Sequence, residues 1–379
     1  MTPPDIPLMR PFFSPTTERR VAKVLESGWV TQGPVVGEFE RAFADYVGAD
    51  HAIATNSCTS ALHLILRALD IGDGDEVIVP SLSFIATANA VVHAGAVPAF
   101  ADVLLDSGNL DPDSVEAAVT SRTRAVIAVH QLGLPAEIAR LSDVCRKHGL
   151  RLIEDAACAV GSSIDGRMVG GGPAPAAFSF HPRKLITTGE GGMLTTDDED
   201  LARRVRRLRN QGMSLSDLDR HRSSTVVFET YEEVGFNYRM TDIQAAVGLA
   251  QMEILGELLS RRRAQALRYS AAFGPVAEIA VPPDDATHQH NFQSYMIRID
   301  AGAQMTRDQL MQALLRDGIA SRRGVMATHL EPSYGNASPL PVTEEIAETG
   351  LLLPLFHELS EVDQDRVIES VVRYLGADH

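Results

Sequence analysis

The chain has 379 residues, enough for two domains or for a large domain with a smaller one appended. Its 50 acidic against 34 basic residues give a formal charge of −16, which speaks against a nucleic-acid binder but leaves room for an anionic small ligand held by local backbone amides. The cysteines Cys58, Cys145 and Cys158 lack metal-ligand spacing, and neither a secretion leader nor an apolar run of membrane-spanning length stands out, so the expectation is a reduced, cytoplasmic chain with no metal and no membrane partner.

Residues 1–15 are proline-rich and read as an extended arm. Thr16 to Gly28 has helical spacing, with Val21, Val24 and Leu25 on one face, and Val36 to Gly48 is a second amphipathic helix with Phe39, Phe43 and Val47 inward. His51–Thr55 reads as a short strand running through Asn56-Ser57-Cys58-Thr59-Ser60 into a helix over Ala61–Leu69. Small polar residues at such a junction either cap the helix or offer its free N–H groups to an anion, and both uses are compatible. Strands follow at Gly74–Pro80, Val97–Asp102, Thr123–Val129 and Gly149–Ile153. Helices alternate with them at Ile85–Ala94, Asp111–Ala118 and Ala136–His148. That alternation predicts a mostly parallel sheet with helices on both faces. Phe84, just past a strand end, is placed either to stack on an aromatic ligand or to fill the core.

The most informative stretch is Ala177–Leu194, AFSFHPRKLITTGEGGML: a strand end, a tight loop carrying Lys184, a glycine turn and a second strand. A lysine in a loop at a sheet's edge lies where ligands bind, and desolvation there would lower its pKa and suit it to imine formation. Asp155 ends the preceding predicted strand. A carboxylate and a lysine at two strand ends are the pair a pyridoxal phosphate enzyme needs, one for the ring nitrogen and one for the aldehyde.

Beyond the lysine loop, Asp198–Asn210 reads as a helix with a solvated basic face, 211–230 as a polar connection, and Thr241–Gly256 as a helix opened by a Thr241/Gln244 capping box and continuing through Arg261-Arg262-Arg263 between domains. The remainder reads as a strand over His288–Ile299, a helix over Thr306–Asp317, a loop or strand over Ile319–Met326, and helices at Ile346–Gly350 and Ser360–Leu375. The expected organisation is the 1–15 arm, a large cofactor domain over 16–256 and a small α+β domain over 257–379.

Together, Trp29-Val30-Thr31-Gln32-Gly33-Pro34, Glu154-Asp155-Ala156-Ala157, Ser179-Phe180-His181-Pro182-Arg183-Lys184, Thr188-Gly189-Glu190-Gly191-Gly192 and Asn237-Tyr238-Arg239-Met240-Thr241-Asp242-Ile243-Gln244 resemble, in order and spacing, the DegT/StrS-like group of fold-type I, pyridoxal phosphate (PLP)-dependent nucleotide-sugar aminotransferases. The resemblance implies that Lys184 carries the cofactor as an internal aldimine and moves protons, and that Asp155 pairs with the pyridine nitrogen. It further implies that Ser179, Thr59 and the Cys58 amide bind the phosphate, that Phe84 stacks on the ring, and that Asn237 reaches the cofactor phosphate of a neighbouring subunit in a homodimer with shared sites. Cys158 stands near the phenolic oxygen, where relatives often carry Gln or His. In the substrate loop, where many relatives have tyrosines and a proline, Arg322, Arg323 and His329 are candidates for a diphosphate or sugar hydroxyls, with a salt bridge as the alternative. The implied reaction moves an amino group from glutamate to a nucleotide-linked keto-sugar. Alternatives are a cyclitol aminotransferase, a PLP-dependent sugar dehydratase, in which a histidine would replace the lysine, and a non-catalytic regulator on the same fold.

Overall fold

The computed structural model describes residues 4–215, 225–335 and 338–376. Helices α1 (Pro15–Ser27) and α2 (Pro34–Val47) precede β1 (His51–Thr55) and α3 (Cys58–Ala68). Then come β2 (Glu76–Pro80), α4 (Ala86–His93), β3 (Val97–Ala101), α5 (Pro112–Ala118), β4 (Thr123–Val129), α6 (Ile138–His148) and β5 (Arg151–Asp155). A small hairpin, β6 (Ser163–Ile164) and β7 (Arg167–Met168), leads to β8 (Ala176–Ser179), β9 (Gly192–Thr196) and α7 (Glu199–Arg209). Helix α8 spans Asp242–Phe273, followed by β10 (Ile279–Ala280), β11 (His288–Gln289), β12 (Tyr295–Ile299), α9 (Arg307–Arg316), β13 (Arg322–Arg323), α10 (Pro341–Thr349), β14 (Gly350–Leu353) and α11 (Glu361–Leu375).

The main sheet has the order β1-β9-β8-β5-β4-β2-β3, and β9 alone runs against its neighbours. Strands such as TRAVIAV are near-continuous apolar runs because both faces are covered. Ile53, Val77, Val79, Ile127 and Ile153 pack under α3, α4 and α7. The alternate side chains face the other way, Ala54 and Phe178 toward α2 and α8, Ile78 and Val126 toward α5 and α6. Phe39 and Phe43 of α2 meet Phe178 and Phe180 at ring separations of 4.9 to 5.6 Å, which locks the strand leading to Lys184 against a rigid helix. The predicted α/β fold with a mostly parallel sheet is the fold observed.

A second sheet, β10-β12-β14-β13, packs with α9, α11 and the far end of α8 around Tyr269, Phe273 and Tyr295. Helix α8 runs unbroken through position 256, its first half buried in the large core and its last turns in the small one. The N-terminal arm is extended and is stitched to the small sheet's side, Ile6 bridging Ile319. Among the described residues, no helix is long and apolar enough to cross a membrane.

Several expected elements differ. The strand expected over His288–Ile299 divides into β11 and β12, because Phe292 adopts φ +52° and the chain passes from β6 to the small sheet there. Pro341 starts α10 earlier than expected, and Gly350–Leu353 forms an interior strand. Leu25 is 57% exposed rather than inward, since α1 packs chiefly on α8 through Val24. The polar connection over 211–230 lies in part, 216–224, outside the described residues.

Candidate active site

The site forms where the carboxyl ends of β1, β2, β4, β5 and β8 meet the start of β9. Asp155 closes β5 and is buried. Its Oδ2 accepts from Thr87 Oγ1 at 2.8 Å and its Oδ1 from the Ala157 N–H at 3.1 Å. Burial pushes the carboxyl's pKa up, while the Thr87 hydroxyl, the Ala157 amide and Lys184 pull it back. His130 is buried beside it. Its Nδ1 accepts the Ala136 N–H at 3.0 Å, so Nε2 carries the proton and donates to Glu154 Oε2 at 2.9 Å.

Lys184 rides on the connection between β8 and β9. The Phe180 carbonyl accepts from Thr187 Oγ1 (2.8 Å) and the Thr188 N–H (3.0 Å), and Gly189 turns the chain at φ +83°. Lys184 Nζ lies 3.1 Å from Cys158 Sγ. Desolvation alone pulls the ammonium down, but Cys158, Cys58 and Asp155 outweigh it, and the net direction is up. The lowered lysine pKa expected from the sequence is therefore corrected: the neighbours, Cys158 first, win over burial. Burial in turn pushes the Cys58 thiol well above its usual range.

Helix α3 begins at Cys58, earlier than expected. Ser57 caps it by accepting the Ser60 N–H at 3.1 Å, so the cap and the free first-turn amides of Cys58 and Thr59 coexist. Gly192 lies so close that an added Cβ would sit 2.6 Å from the Cys58 nitrogen, which is why the strand entering beside this helix end starts with glycine. Ser179 is buried at the end of β8. Helix end, hydroxyls, ammonium and carboxylate thus share one edge, a donor set that fits a phosphorylated aldehyde with a basic ring nitrogen.

Phe84 is 55% exposed, which removes the core-filling alternative. Asn237 has an exposed side chain, and its carbonyl accepts from Asn56 Nδ2 at 3.4 Å. His329 is buried, bonded to Ser81 Oγ at 2.6 Å through Nδ1 and to Glu344 Oε1 at 3.2 Å through Nε2, so both ring nitrogens are engaged within the protein. Arg323 is exposed and 3.9 Å from Glu331. Burial and the charges of Arg183 and Arg323 push Arg322 down, so it faces cations. The sequence reading passed over Thr87, His130 and the side-chain amides of Asn291 and Gln293. Asn291 Nδ2 donates to the carbonyls of Cys158 and Val160 at 2.8 Å, and Gln293 Nε2 to that of Arg183 at 2.7 Å, bracing the loops that carry Cys158 and Lys184. A polar cluster, His288-Gln289-His290-Asn291-Phe292-Gln293, inside a predicted strand was the available signal.

A family model described as the DegT/DnrJ/EryC1/StrS aminotransferase family matches residues 14–372. The chain belongs to that family. Among curated relatives, it is 41% identical over 376 residues to GDP-perosamine synthase of Caulobacter vibrioides, covering 98% of this chain and 99% of that one. It is 39% identical over 373 residues to the spore coat polysaccharide biosynthesis protein SpsC of Bacillus subtilis, covering 97% and 96%. Among solved structures, DesV of S. venezuelae in complex with a ketimine intermediate superposes with a TM-score of 0.89 at 34% identity, covering 100% of both chains. The family is one of sugar aminotransferases, and this member is accordingly an aminotransferase.

Proposed function

We propose that the protein is a PLP-dependent transaminase that moves an amino group from glutamate to a nucleotide-linked keto-sugar, working as a cytoplasmic homodimer. The convergence of Lys184, Cys158 and Asp155 at one sheet edge carries the reading. The likeness to GDP-perosamine synthase supports a nucleotide sugar as acceptor. When bound, PLP supplies an electron-poor ring able to hold the electron pair released at the substrate carbon. The chain's own groups do the rest. Lys184 Nζ takes and returns the proton at that carbon. Asp155 would keep a proton on the ring nitrogen, and the Cys58 amide, Thr59 and Ser179 would hold the phosphate at the positive end of α3. Phe84 would stack on the ring, Cys158 would stand near the phenolic oxygen, and Arg322 and Arg323 would meet the diphosphate.

Val226, Phe228 and Val234, 84%, 85% and 88% exposed, support a dimer in which a second copy covers them and Asn237 completes the partner's site. Sedimentation should give a dimer that Phe228→Asp converts toward monomer with loss of activity; a fully active monomer would refute the shared site.

The decisive experiment is borohydride treatment of the PLP-loaded protein followed by peptide mass mapping, which should place a pyridoxyl increment on Lys184. Lys184→Ala should lose at least about 10³-fold in amino transfer to keto-sugar nucleotides, since it removes both the attachment point and the proton carrier. Increment elsewhere, or near-normal turnover by the variant, would overturn the assignment.

A further inference from the structure

We propose that Thr87, itself held by Ser83, is a positioning residue that keeps the Asp155 carboxylate anionic and turned toward the cofactor's ring nitrogen. The inference rests on the reading of Asp155 given above. Thr87 sits in the first turn of α4, buried, at a place where a valine would fill the same space. Its hydroxyl is aimed at a charge: Oγ1 lies 2.8 Å from Asp155 Oδ2. A carboxylate only accepts, so the single Thr87 proton goes to Asp155. Thr87 Oγ1 must then accept its other bond, and Ser83 Oγ at 2.8 Å supplies it. Ser83 is fixed in turn, its carbonyl accepting from Thr328 Oγ1 of the small domain at 3.1 Å.

This relay, Ser83 to Thr87 to Asp155, solves a problem that burial creates. A carboxylate with no partner in a closed site would take up a proton and lose its use as a counter-ion. Lys184 favours the anion through its charge, but the contact recorded for its Nζ is to Cys158. Among the described residues, Thr87 is the side chain that donates to Asp155, and the Ala157 amide holds the other oxygen. The two donors occupy one lone pair on each oxygen and leave acceptor capacity for a ring N–H. A charge-directed hydrogen bond of this kind is the strong sort, so its removal should be legible in binding.

The test compares the affinity of reconstituted full-length protein for PLP and for 1-deaza-PLP, in which a C–H replaces the ring nitrogen. Wild type should prefer PLP. Asp155→Ala should abolish that preference, which checks the premise. Thr87→Val should cut the preference about tenfold or more while leaving 1-deaza-PLP affinity near wild type, and Thr87→Ser should restore it. Equal weakening toward both ligands by Thr87→Val would reduce Thr87 to packing and overturn the proposal. An intact preference in Asp155→Ala would remove the premise instead, so the two failures are distinguishable. If Thr87→Val does not fold, Ser83→Ala decides: a partial loss of preference supports the relay, and an unchanged preference overturns it.

Discussion

At the scale of single residues, the ionisation of Lys184 is set by competition. Burial favours the neutral amine, whereas Cys158 at 3.1 Å, with Cys58 and Asp155 behind it, favours the ammonium and prevails. Capture of an aldehyde needs the neutral amine. Removing the thiol should therefore lower the lysine's pKa: in Cys158→Ala the pH profile for capture of PLP, followed by absorbance, should move to lower pH, while Cys145→Ala, buried elsewhere, should leave it in place. A profile unmoved in Cys158→Ala would sink this account. Lys184 and Asp155 were legible in the sequence because ionisable groups at strand ends stand out against apolar runs. Thr87, Asn291 and Gln293 did not stand out. A threonine in SFIATANA looks like helix filler, and what gives it a role is a carboxylate 68 positions away, which no local pattern encodes.

At the scale of elements, helix starts carry much of the order. The Thr241/Gln244 capping box read from the sequence forms as expected, yet the residue between them does more. Asp242 is buried and its carboxylate accepts from the N–H groups of Gly33 (2.9 Å), Val35 (3.2 Å) and Val36 (2.9 Å), so the first turn of α8 caps α2. Asp242→Ala leaves three backbone donors at and just before the start of α2 unsatisfied and should cost about 2–3 kcal/mol in denaturant unfolding, far more than Thr241→Ala at about 1 kcal/mol. Cap residues announce themselves only to their own helix; capping across 209 positions is invisible until the chain folds. The β6–β7 hairpin was legible and went unread. Asp165 and Gly166 both take positive φ, +50° and +79°, in the two-residue Asp-Gly turn that such hairpins favour. Phe292 is the opposite case, since nothing about a phenylalanine signals the positive φ that divides β11 from β12.

At the scale of the whole molecule, the two cores are joined by polar stitches. Arg262 and Arg263 of α8 donate to the carbonyls of Gln293 (2.7 Å) and His290 (3.0 Å), fixing the turn whose amides brace the lysine loop. His290 itself is buried with Nδ1 accepting the Phe292 N–H at 2.9 Å, and burial, aided by Arg263, pushes its pKa from 6.5 down to about 3. The unfolded chain takes up a proton below pH 6.5 that the folded chain refuses. Its stabilising effect is thus complete above that pH and is lost as acid is added, at up to about 1.4 kcal/mol per pH unit. His63, pushed by burial from 6.5 down to about 4, adds a slope of the same sign, so unfolding free energies measured from pH 7 downward should fall, and His290→Gln should make that fall shallower without abolishing it. The large sheet and its strand-end site were readable because each βα unit repeats one short pattern. The joint between the cores was not, because it is made of backbone carbonyls.

Helix α8 has one more consequence, for anyone recombining this chain with its relatives. Because one rod of 32 residues serves both halves, the angular setting of the small half about that rod is fixed by counting residues. An extra residue spliced in at 256 would swing everything beyond it by about 100° and advance it about 1.5 Å, tearing Arg262 and Arg263 from the turn they hold. Chimaeras meant to exchange sugar preference must therefore preserve helical phase, and those that change it should purify without the cofactor's colour.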